Sequence, residues 1–291
     1  MRSLLFVPGD SERKLEKALL TSADVLILDL EDSVAPGRKE AARRTTADFL
    51  SVNSNGPTLF YVRVNALSTG LMDGDLAAVM PARPAGIMLP KAEGGQDVTQ
   101  LSVKLRVHEA ESGIEDGVTA ILPIITETAK AVFSAGTYAQ ASKRLSGLTW
   151  GAEDLSAEIG ARTARDDDGR YTGVFALARA TTLLSASAAD VPAVDTVFPN
   201  FRDETGFARE CLEAERDGFT AKMAIHPAQV PVINAAFTPS EEAVAQASRI
   251  VAAFEEAGET GVASVDGEMV DRPHLLRAER ILERARLAGR G

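Results

Sequence analysis

Hydrophobic residues along the chain are grouped into eight short continuous runs, separated by longer stretches in which polar residues dominate. The runs cover residues 3–9, 24–32, 58–65, 85–91, 118–126, 144–151, 192–200 and 221–227. Continuous apolar runs of this length, without strict alternation, are typical of strands covered on both faces. The pattern therefore predicts eight strands of a buried, parallel sheet.

The stretches between the runs carry helical patterns, as at residues 11–20, 38–50 and 203–218. The last of these begins at Asp203, a preferred helix N-cap residue, and stops at Gly218. Strands that alternate with helices eight times predict a (β/α)8 barrel, or TIM barrel, of the α/β class. A doubly wound sheet is the alternative. Its dinucleotide-binding form has no support, because no G-x-G-x-x-G turn follows any run.

Two regions fall outside the repeating pattern. The connection after the sixth run is the longest, and its charged segment 161–173 predicts an exposed loop. Beyond the eighth run, the pattern predicts an amphipathic helix, a loop or short hairpin, and a final helix, at residues 239–257, 261–273 and 274–287. We therefore expect a catalytic barrel at 1–235 and a helical appendage or lid at 236–291, which packs on a neighbouring subunit.

Composition and charge limit the classes of partner. The 291 residues are 45% hydrophobic and 25% charged, which is typical of a soluble globular protein, and the net charge is −11. An acidic chain lacks the basic face that binds nucleic acid or anionic membrane. One cysteine and three histidines exclude an intrachain disulfide and a thiolate zinc cluster. Without a signal-peptide pattern or an apolar stretch of about 18–20 residues, a cytoplasmic protein is expected.

Charged residues, Asp195 among them, stand at the ends of most of the predicted strands, where barrel enzymes carry their chemistry. Glu127 and Asp154 follow consecutive runs, so we expect them to be neighbours on the rim. Two carboxylates without nearby His or Cys suit a hard divalent cation, with Mg²⁺ the first choice. Arg63, two runs earlier, could bind a carboxylate or an enolate oxygen. The alternative is that these carboxylates cap helices or pair with arginines.

An ordered set of motifs gives these residues a further context. FVPGD, VLILDLEDSVAP, YVRVN, GIMLPKAE, ITET, WGAEDL, KMAIHPAQV and GEMVDRP occur in this order along nearly the whole chain. Together they resemble the citrate lyase beta-subunit-like family, which groups with malyl-CoA and citramalyl-CoA lyases in the HpcH/HpaI aldolase superfamily. The resemblance implies a TIM barrel, trimeric or hexameric, that binds Mg²⁺ and a 2-oxo acid.

The resemblance also implies roles for individual residues. Glu127 and Asp154 match the family's metal-binding carboxylates, and Arg63 matches the arginine that contacts the reacting substrate. Asp271 of GEMVDRP matches an acid that acts on the acetyl methyl group and is often donated by a neighbouring subunit. Thr126 stands where many relatives have an apolar residue, which leaves the adjacent carboxylate in place.

Several of these residues have a second interpretation. Asp271 could simply cap the last helix. Lys91 could contact a thioester or phosphate, or form an ordinary rim ion pair. Trp150 could pack at the barrel mouth or line the substrate pocket. Three acids after the second run are interpreted as hydrogen-bond partners that hold arginine side chains in place: Asp29, Glu31 and Asp32.

The resulting prediction is a Mg²⁺-dependent carbon–carbon lyase. It would cleave or form a malyl-, methylmalyl- or citramalyl-CoA, with acetyl-CoA or propionyl-CoA and a 2-oxo acid as the other partners. Arg63 and Asp271 are the expected catalytic residues, and Arg63, Glu127, Lys91 and Trp150 the expected substrate contacts. The alternatives are a citrate lyase beta subunit acting on citryl-acyl carrier protein, and a barrel that binds a 2-oxo acid or CoA without turnover.

Overall fold

Eight parallel strands form the centre of the molecule. The computed structural model describes residues 1–54, 56–258 and 261–289. The strands are β1 Ser3–Pro8, β2 Val25–Asp29, β3 Leu59–Arg63, β4 Gly86–Leu89, β5 Ala120–Pro123, β6 Leu148–Thr149, β7 Ala193–Asp195 and β8 Ala221–Ala224. They are ordered β5-β4-β3-β2-β1-β8-β7-β6, and isolated parallel bridges join β5 to residues at and before β6. The strands thus form a nearly closed barrel, and the predicted TIM barrel is confirmed.

Helices follow the strands and surround the barrel. They are α1 Glu12–Ala18, α2 Lys39–Asn53, α3 Met72–Val79, α4 Gly95–Glu111, α5 Ala129–Ser134, α6 Ala152–Ile159, α7 Gly173–Ala188, α8 Glu204–Asp217 and α9 Gln229–Phe237. The predicted limits of α8 are confirmed. The Asp203 side chain accepts a hydrogen bond from the Gly206 N–H at 2.9 Å, and Gly218 ends the helix with a φ of 115°.

Side chains alternate between the inside of the barrel and the layer under the helices, because successive strand residues point to opposite faces. On β2, Val25 and Ile27 belong to the inner apolar cluster, whereas Leu26 and Leu28 pack under the helices. Asp29 therefore continues the inward series at the carboxyl end of the strand. Arg63 does the same on β3, two residues after the inward Tyr61.

The C-terminal segment continues as α10 Glu241–Ala257, β9 Val262–Val265, β10 Glu268–Asp271 and α11 Arg272–Leu287. β9 and β10 pair in the antiparallel sense, so the hairpin alternative is the correct one. Phe254, Val265 and Val270 form a separate apolar cluster in this segment. The boundary expected at residue 235 falls inside α9. No helix among the described residues has both the length and the apolarity needed to cross a membrane.

A buried ion pair lies at the amino-terminal side of β5 and β6. The Arg144 guanidinium donates to both carboxylate oxygens of Glu109, each at 2.6 Å, and both residues are buried. The backbone N–H groups of Gly117 and Thr119 donate to the same carboxylate. Burial alone would raise the pKa of Glu109, but these hydrogen bonds lower it to about 2.

Replacing Glu109 by glutamine should lower the free energy of unfolding by about 3 kcal/mol at neutral pH, because Arg144 loses its buried partner. A carboxyl group with a lowered pKa stabilises the fold above its unfolded pKa of about 4.3, and this stabilisation is lost as the pH falls toward 2. Urea unfolding should therefore show that the free energies of unfolding of the wild type and Glu109→Gln differ most at pH 7, and that this difference shrinks between about pH 4.3 and pH 2. A difference that stays constant over this range would contradict the prediction.

Candidate active site

The guanidinium of Arg63 is held by carboxylates at the carboxyl end of the barrel. Its Nε and Nη2 donate to the two oxygens of Asp29, each at 2.7 Å, and Nη1 lies 3.0 Å from Glu31 and 3.7 Å from Asp32. The interpretation of these three acids as partners of an arginine is confirmed. Burial works against the charge, but the carboxylates more than compensate and raise the pKa of Arg63 above its usual value. The group therefore stays cationic.

Lys91 follows β4 and connects both predicted metal ligands. Its backbone N–H donates to Oε2 of Glu127, and its ammonium lies 3.2 Å from Asp154 and 2.5 Å from Glu31. The residue adopts a φ of 51°, in the left-handed region that side chains other than glycine rarely occupy. Such a conformation costs energy and is retained where surrounding contacts hold it. The rim ion-pair interpretation of Lys91 is confirmed, and its contact with substrate stays a prediction.

Glu127 and Asp154 lie across the junction between β5 and β6. Glu127 follows β5 and is buried, and Asp154 lies half-buried in the first turn of α6. Burial and, next, the negative charge of Asp154 raise the pKa of Glu127 well above its usual value. A Cβ atom on Gly151 would stand only 2.8 Å from Cγ of Glu127. The glycine before Asp154 is therefore what lets the turn after β6 approach Glu127.

These two carboxylates fit a divalent cation that completes its shell with other oxygens. Two like charges close together in a buried site are unfavourable unless a cation or a proton compensates them. Among the described residues, no group of three or more His, Cys, Asp and Glu side chains could hold a metal. Mg²⁺ commonly takes only one or two carboxylates and keeps waters or substrate oxygens. Glu127 and Asp154 are thus the residues that would hold it.

Trp150 points away from this site. It shares the outer face of β6 with Leu148, because Thr149 between them points inward, and its side chain is fully buried. Its indole N–H donates to Asp195 at 2.8 Å, and its ring packs against Tyr171 at 4.9 Å. The prediction that Trp150 contacts substrate is not supported by this geometry.

One further expectation changes and another is confirmed. Asp195, expected on the rim, is fully buried behind it, 2.8 Å from the ammonium of Lys222. Asp195 directly follows Val194, which points into the barrel, so strand alternation turns Asp195 outward under the helices. Segment 161–173 is a mostly exposed loop, as expected; an isolated bridge joins Arg165 to Tyr171 across it, and Tyr171 packs against Trp150.

Asp271 lies in the C-terminal segment, at the end of β10, where it is the N-cap residue of α11. Its Oδ1 lies 2.5 Å from Nδ1 of His274, and the two residues form a capping box. The capping interpretation is therefore confirmed. Within the part of the chain that the structure describes, the side chain of Asp271 contacts His274, and no hydrogen bond or ion pair joins it to Arg63 or Glu127. Its catalytic role stays a prediction.

Comparison with known proteins places this geometry in context. The model of the HpcH/HpaI aldolase/citrate lyase family matches residues 2–227. The citrate lyase subunit beta of Leuconostoc mesenteroides subsp. cremoris is 35% identical, over 98% of this chain and 93% of that protein. The mitochondrial citramalyl-CoA lyase of Rattus norvegicus is 33% identical, over 97% of this chain and 85% of that protein.

A solved structure extends the similarity to three dimensions. It is CitE from Mycobacterium tuberculosis in complex with magnesium, acetoacetate and coenzyme A. That chain is 36% identical, with a TM-score of 0.76, and the match covers 98% of this chain and 97% of that one. Coverage of this extent includes both the barrel and the C-terminal segment. The chain therefore belongs to the HpcH/HpaI aldolase/citrate lyase family.

Proposed function

We propose that this protein is a Mg²⁺-dependent lyase that cleaves or forms a 3-hydroxyacyl-CoA of the malyl-, methylmalyl- or citramalyl-CoA type. The observation that carries the proposal is the cluster at the carboxyl end of the barrel. There, a permanently charged Arg63 stands across from the carboxylate pair Glu127 and Asp154, with Lys91 in contact with both sides. The similarity to a citramalyl-CoA lyase, and to a CitE that binds magnesium and coenzyme A, supports it.

In the cleavage direction, the bond between the carbinol carbon and the thioester α-carbon breaks, the hydroxyl oxygen becomes the keto oxygen of the 2-oxo acid, and its proton passes to water at the rim. The products are a 2-oxo acid and a thioester enolate. A fixed positive charge near the enolate oxygen stabilises this species without reorganisation. Arg63 suits this role because Asp29 fixes its Nε and Nη2, so that the guanidinium is held in place; Nη1, which pairs with Glu31 at 3.0 Å, is the nitrogen that Asp29 does not engage. Bound Mg²⁺ would supply a Lewis acid for the oxygens of the 2-oxo acid.

The enolate carbon then takes up a proton, and in synthesis the acetyl methyl group loses one. Asp271 is our candidate for this acid and base. Asp271 lies on the hairpin of the C-terminal segment, and among the described residues it does not contact the rim of its own barrel. To act on the substrate, it would have to serve the rim of another copy of the chain. We therefore propose a homo-oligomer in which the segment packs on a neighbouring copy and brings Asp271 to that copy's Arg63.

The experiment is an incubation of acetyl-CoA or propionyl-CoA with glyoxylate, pyruvate or oxaloacetate, with Mg²⁺ or with EDTA. Mass spectrometry detects the condensed thioester, and free CoA is measured to detect hydrolysis. We expect one 2-oxo acid to give product with Mg²⁺ only. Glu127→Gln should abolish the product because a neutral amide binds the cation poorly, whereas Glu109→Gln, at the opposite end of the barrel, should retain it.

The second candidate is cleavage of a citryl group on an acyl carrier protein. The 35% identity to a citrate lyase subunit beta favours it. Turnover of citryl-acyl carrier protein, with no product from any CoA thioester, would establish this candidate and contradict the first. If neither substrate type turns over while acetyl-CoA and a 2-oxo acid bind, the protein is a binding barrel and both proposals fail.

A further inference from the structure

Behind the metal-ligand side of the rim, a group of charged residues is buried between the barrel and the helices. Asp195 on β7 accepts hydrogen bonds from Nζ of Lys222 at 2.8 Å, from Nε of Arg179 at 3.2 Å and from the indole N–H of Trp150 at 2.8 Å. Lys222 also donates to Glu210 on α8 at 2.8 Å. We refer to Asp195, Lys222 and Trp150 as the buried anchor; all three are fully buried.

The buried anchor is not explained by fold stability alone. Taking Asp195 and Lys222 out of water costs several kcal/mol for each ion, and well-packed apolar residues in such places are often as stable or more so. The charges instead fix the position of the Asp195 carboxylate and the direction of the hydrogen bond that it accepts from Trp150. Burial would raise the pKa of Asp195, but the charges of Lys222 and Arg179 hold it below its usual value, so the carboxylate is ionised and accepts the Trp150 N–H strongly.

Trp150 lies next to the turn that presents Asp154. Gly151 directly follows it and is the N-cap residue of α6, whose first turn contains Asp154. The strand before this turn and the helix after it are each tied to the Glu127 side of the rim by a hydrogen bond. The Ile125 N–H donates to the Thr149 carbonyl at 2.9 Å, and the Ala129 N–H donates to Glu158 of α6 at 3.0 Å.

The turn is therefore fixed from two directions. On one side it contacts the segment that carries Glu127, where Gly151 allows the close approach described above. On the other side the indole N–H of Trp150, the one hydrogen-bond donor of this side chain, donates to Asp195. Loss of that bond would leave the end of β6, a strand of two residues, held by packing and its remaining backbone bonds.

We propose that Asp195 is a positioning residue that acts through Trp150 and sets the place of Asp154 relative to Glu127. The inference rests on the proposed function, because it assumes that these two carboxylates bind Mg²⁺. Removing partners that orient metal ligands typically costs about 10–100-fold in metal affinity. Since Asp195 acts through a further residue, we expect about 10-fold, at the low end of this range.

Three variants of the full chain test the proposal. Asp195→Asn removes the charge that accepts the indole N–H. Trp150→Phe keeps an aromatic ring in place and removes the N–H itself, so it tests the same bond if Asp195→Asn does not fold. Glu109→Gln is the matched control. It also converts a buried, ion-paired carboxylate to an amide, but at the opposite end of the barrel.

The readout is titration with MgCl₂ by calorimetry and by fluorescence. Trp150 is the sole tryptophan of the chain, so its emission reports on this turn alone. For the wild type we expect saturable heat and a parallel change in emission. Asp195→Asn, followed by both signals, and Trp150→Phe, which lacks the fluorophore and is followed by calorimetry alone, should each weaken Mg²⁺ binding by about 10-fold. Glu109→Gln should bind as the wild type does although it unfolds more easily.

The outcomes separate the two proposals. Normal Mg²⁺ affinity in both Asp195→Asn and Trp150→Phe would overturn the positioning role and leave the proposed function intact. Equal weakening in Glu109→Gln would also overturn it, because the effect would then be a general loss of stability. If the wild type binds no Mg²⁺, the proposed function fails and the positioning role with it.

Discussion

Replacement of Arg63 by methionine is expected to lower kcat by about 10²–10³-fold, the typical effect of removing one group that stabilises an oxyanion. The side chain is held in place by Asp29, so its charge needs no reorganisation when negative charge develops on the substrate. Arg63→Lys should recover part of the loss, because it keeps the charge but cannot form the paired hydrogen bonds. Steady-state kinetics of the CoA condensation, with saturating Mg²⁺, measure both variants.

The same substitution removes the partner of a buried carboxylate, and this second effect needs its own control. Asp29 is 1% exposed, so leaving it unpaired should cost about 3–5 kcal/mol of the free energy of unfolding. Arg144→Met breaks a similarly buried arginine pair far from the rim, and it should be destabilised without loss of kcat in the folded protein. If Arg63→Met loses only stability and keeps its kcat, Arg63 holds the fold and does not act on the substrate.

Asp271→Asn is expected to lower kcat by about 10²–10⁴-fold, as for the loss of a general acid and base. Asparagine caps helices about as well as aspartate, so the stability should change by only a few tenths of a kcal/mol. Asp271→Ala should lose the same activity and, in addition, about 1 kcal/mol of stability through loss of the cap. Kinetics together with thermal unfolding of the three proteins therefore separate the chemical role from the capping role that the structure shows.

Mixing variants tests whether Asp271 serves a neighbouring copy. If Arg63 and Asp271 of each site come from different subunits, co-refolding Arg63→Met with Asp271→Asn rebuilds intact sites, about one quarter of the total for equal mixing. Recovery of activity toward this level is the expected result. If the mixture stays inactive although mixed oligomers form, both residues come from one chain and the proposed packing of the C-terminal segment is wrong.

The apolar runs of the sequence predicted the barrel because strands covered on both faces have few polar positions to interrupt them. The residues that follow those strands predicted the rim, since the carboxyl ends of parallel strands meet at one end of a barrel. This rule brought Arg63 and three acids to the same end of the barrel, where they form ion pairs. It also predicted that Glu127 and Asp154 lie close together.

What the sequence did not predict depends on which face of a strand a residue occupies. A continuous apolar run hides the alternation, so Trp150 and Asp195 could be assigned to the rim when they point outward under the helices. The burial of Lys222 could not be predicted either, because its ammonium pairs with residues of β7 and α8 that are distant in sequence. The left-handed conformation of Lys91 and the fit of Gly151 against Glu127 likewise arise only from packing between neighbouring strand ends.

The weakest junction of the barrel lies between β5 and β6, which are joined by isolated bridges and not by a continuous ladder. Glu127 and Asp154 stand on opposite sides of that junction. A cation bound by both carboxylates would link the two sides of the junction. Its binding free energy would then add directly to the stability of the closed barrel. Occupancy of the site and closure of the barrel would then be two aspects of a single equilibrium, so the protein would be most firmly closed when it is loaded for catalysis.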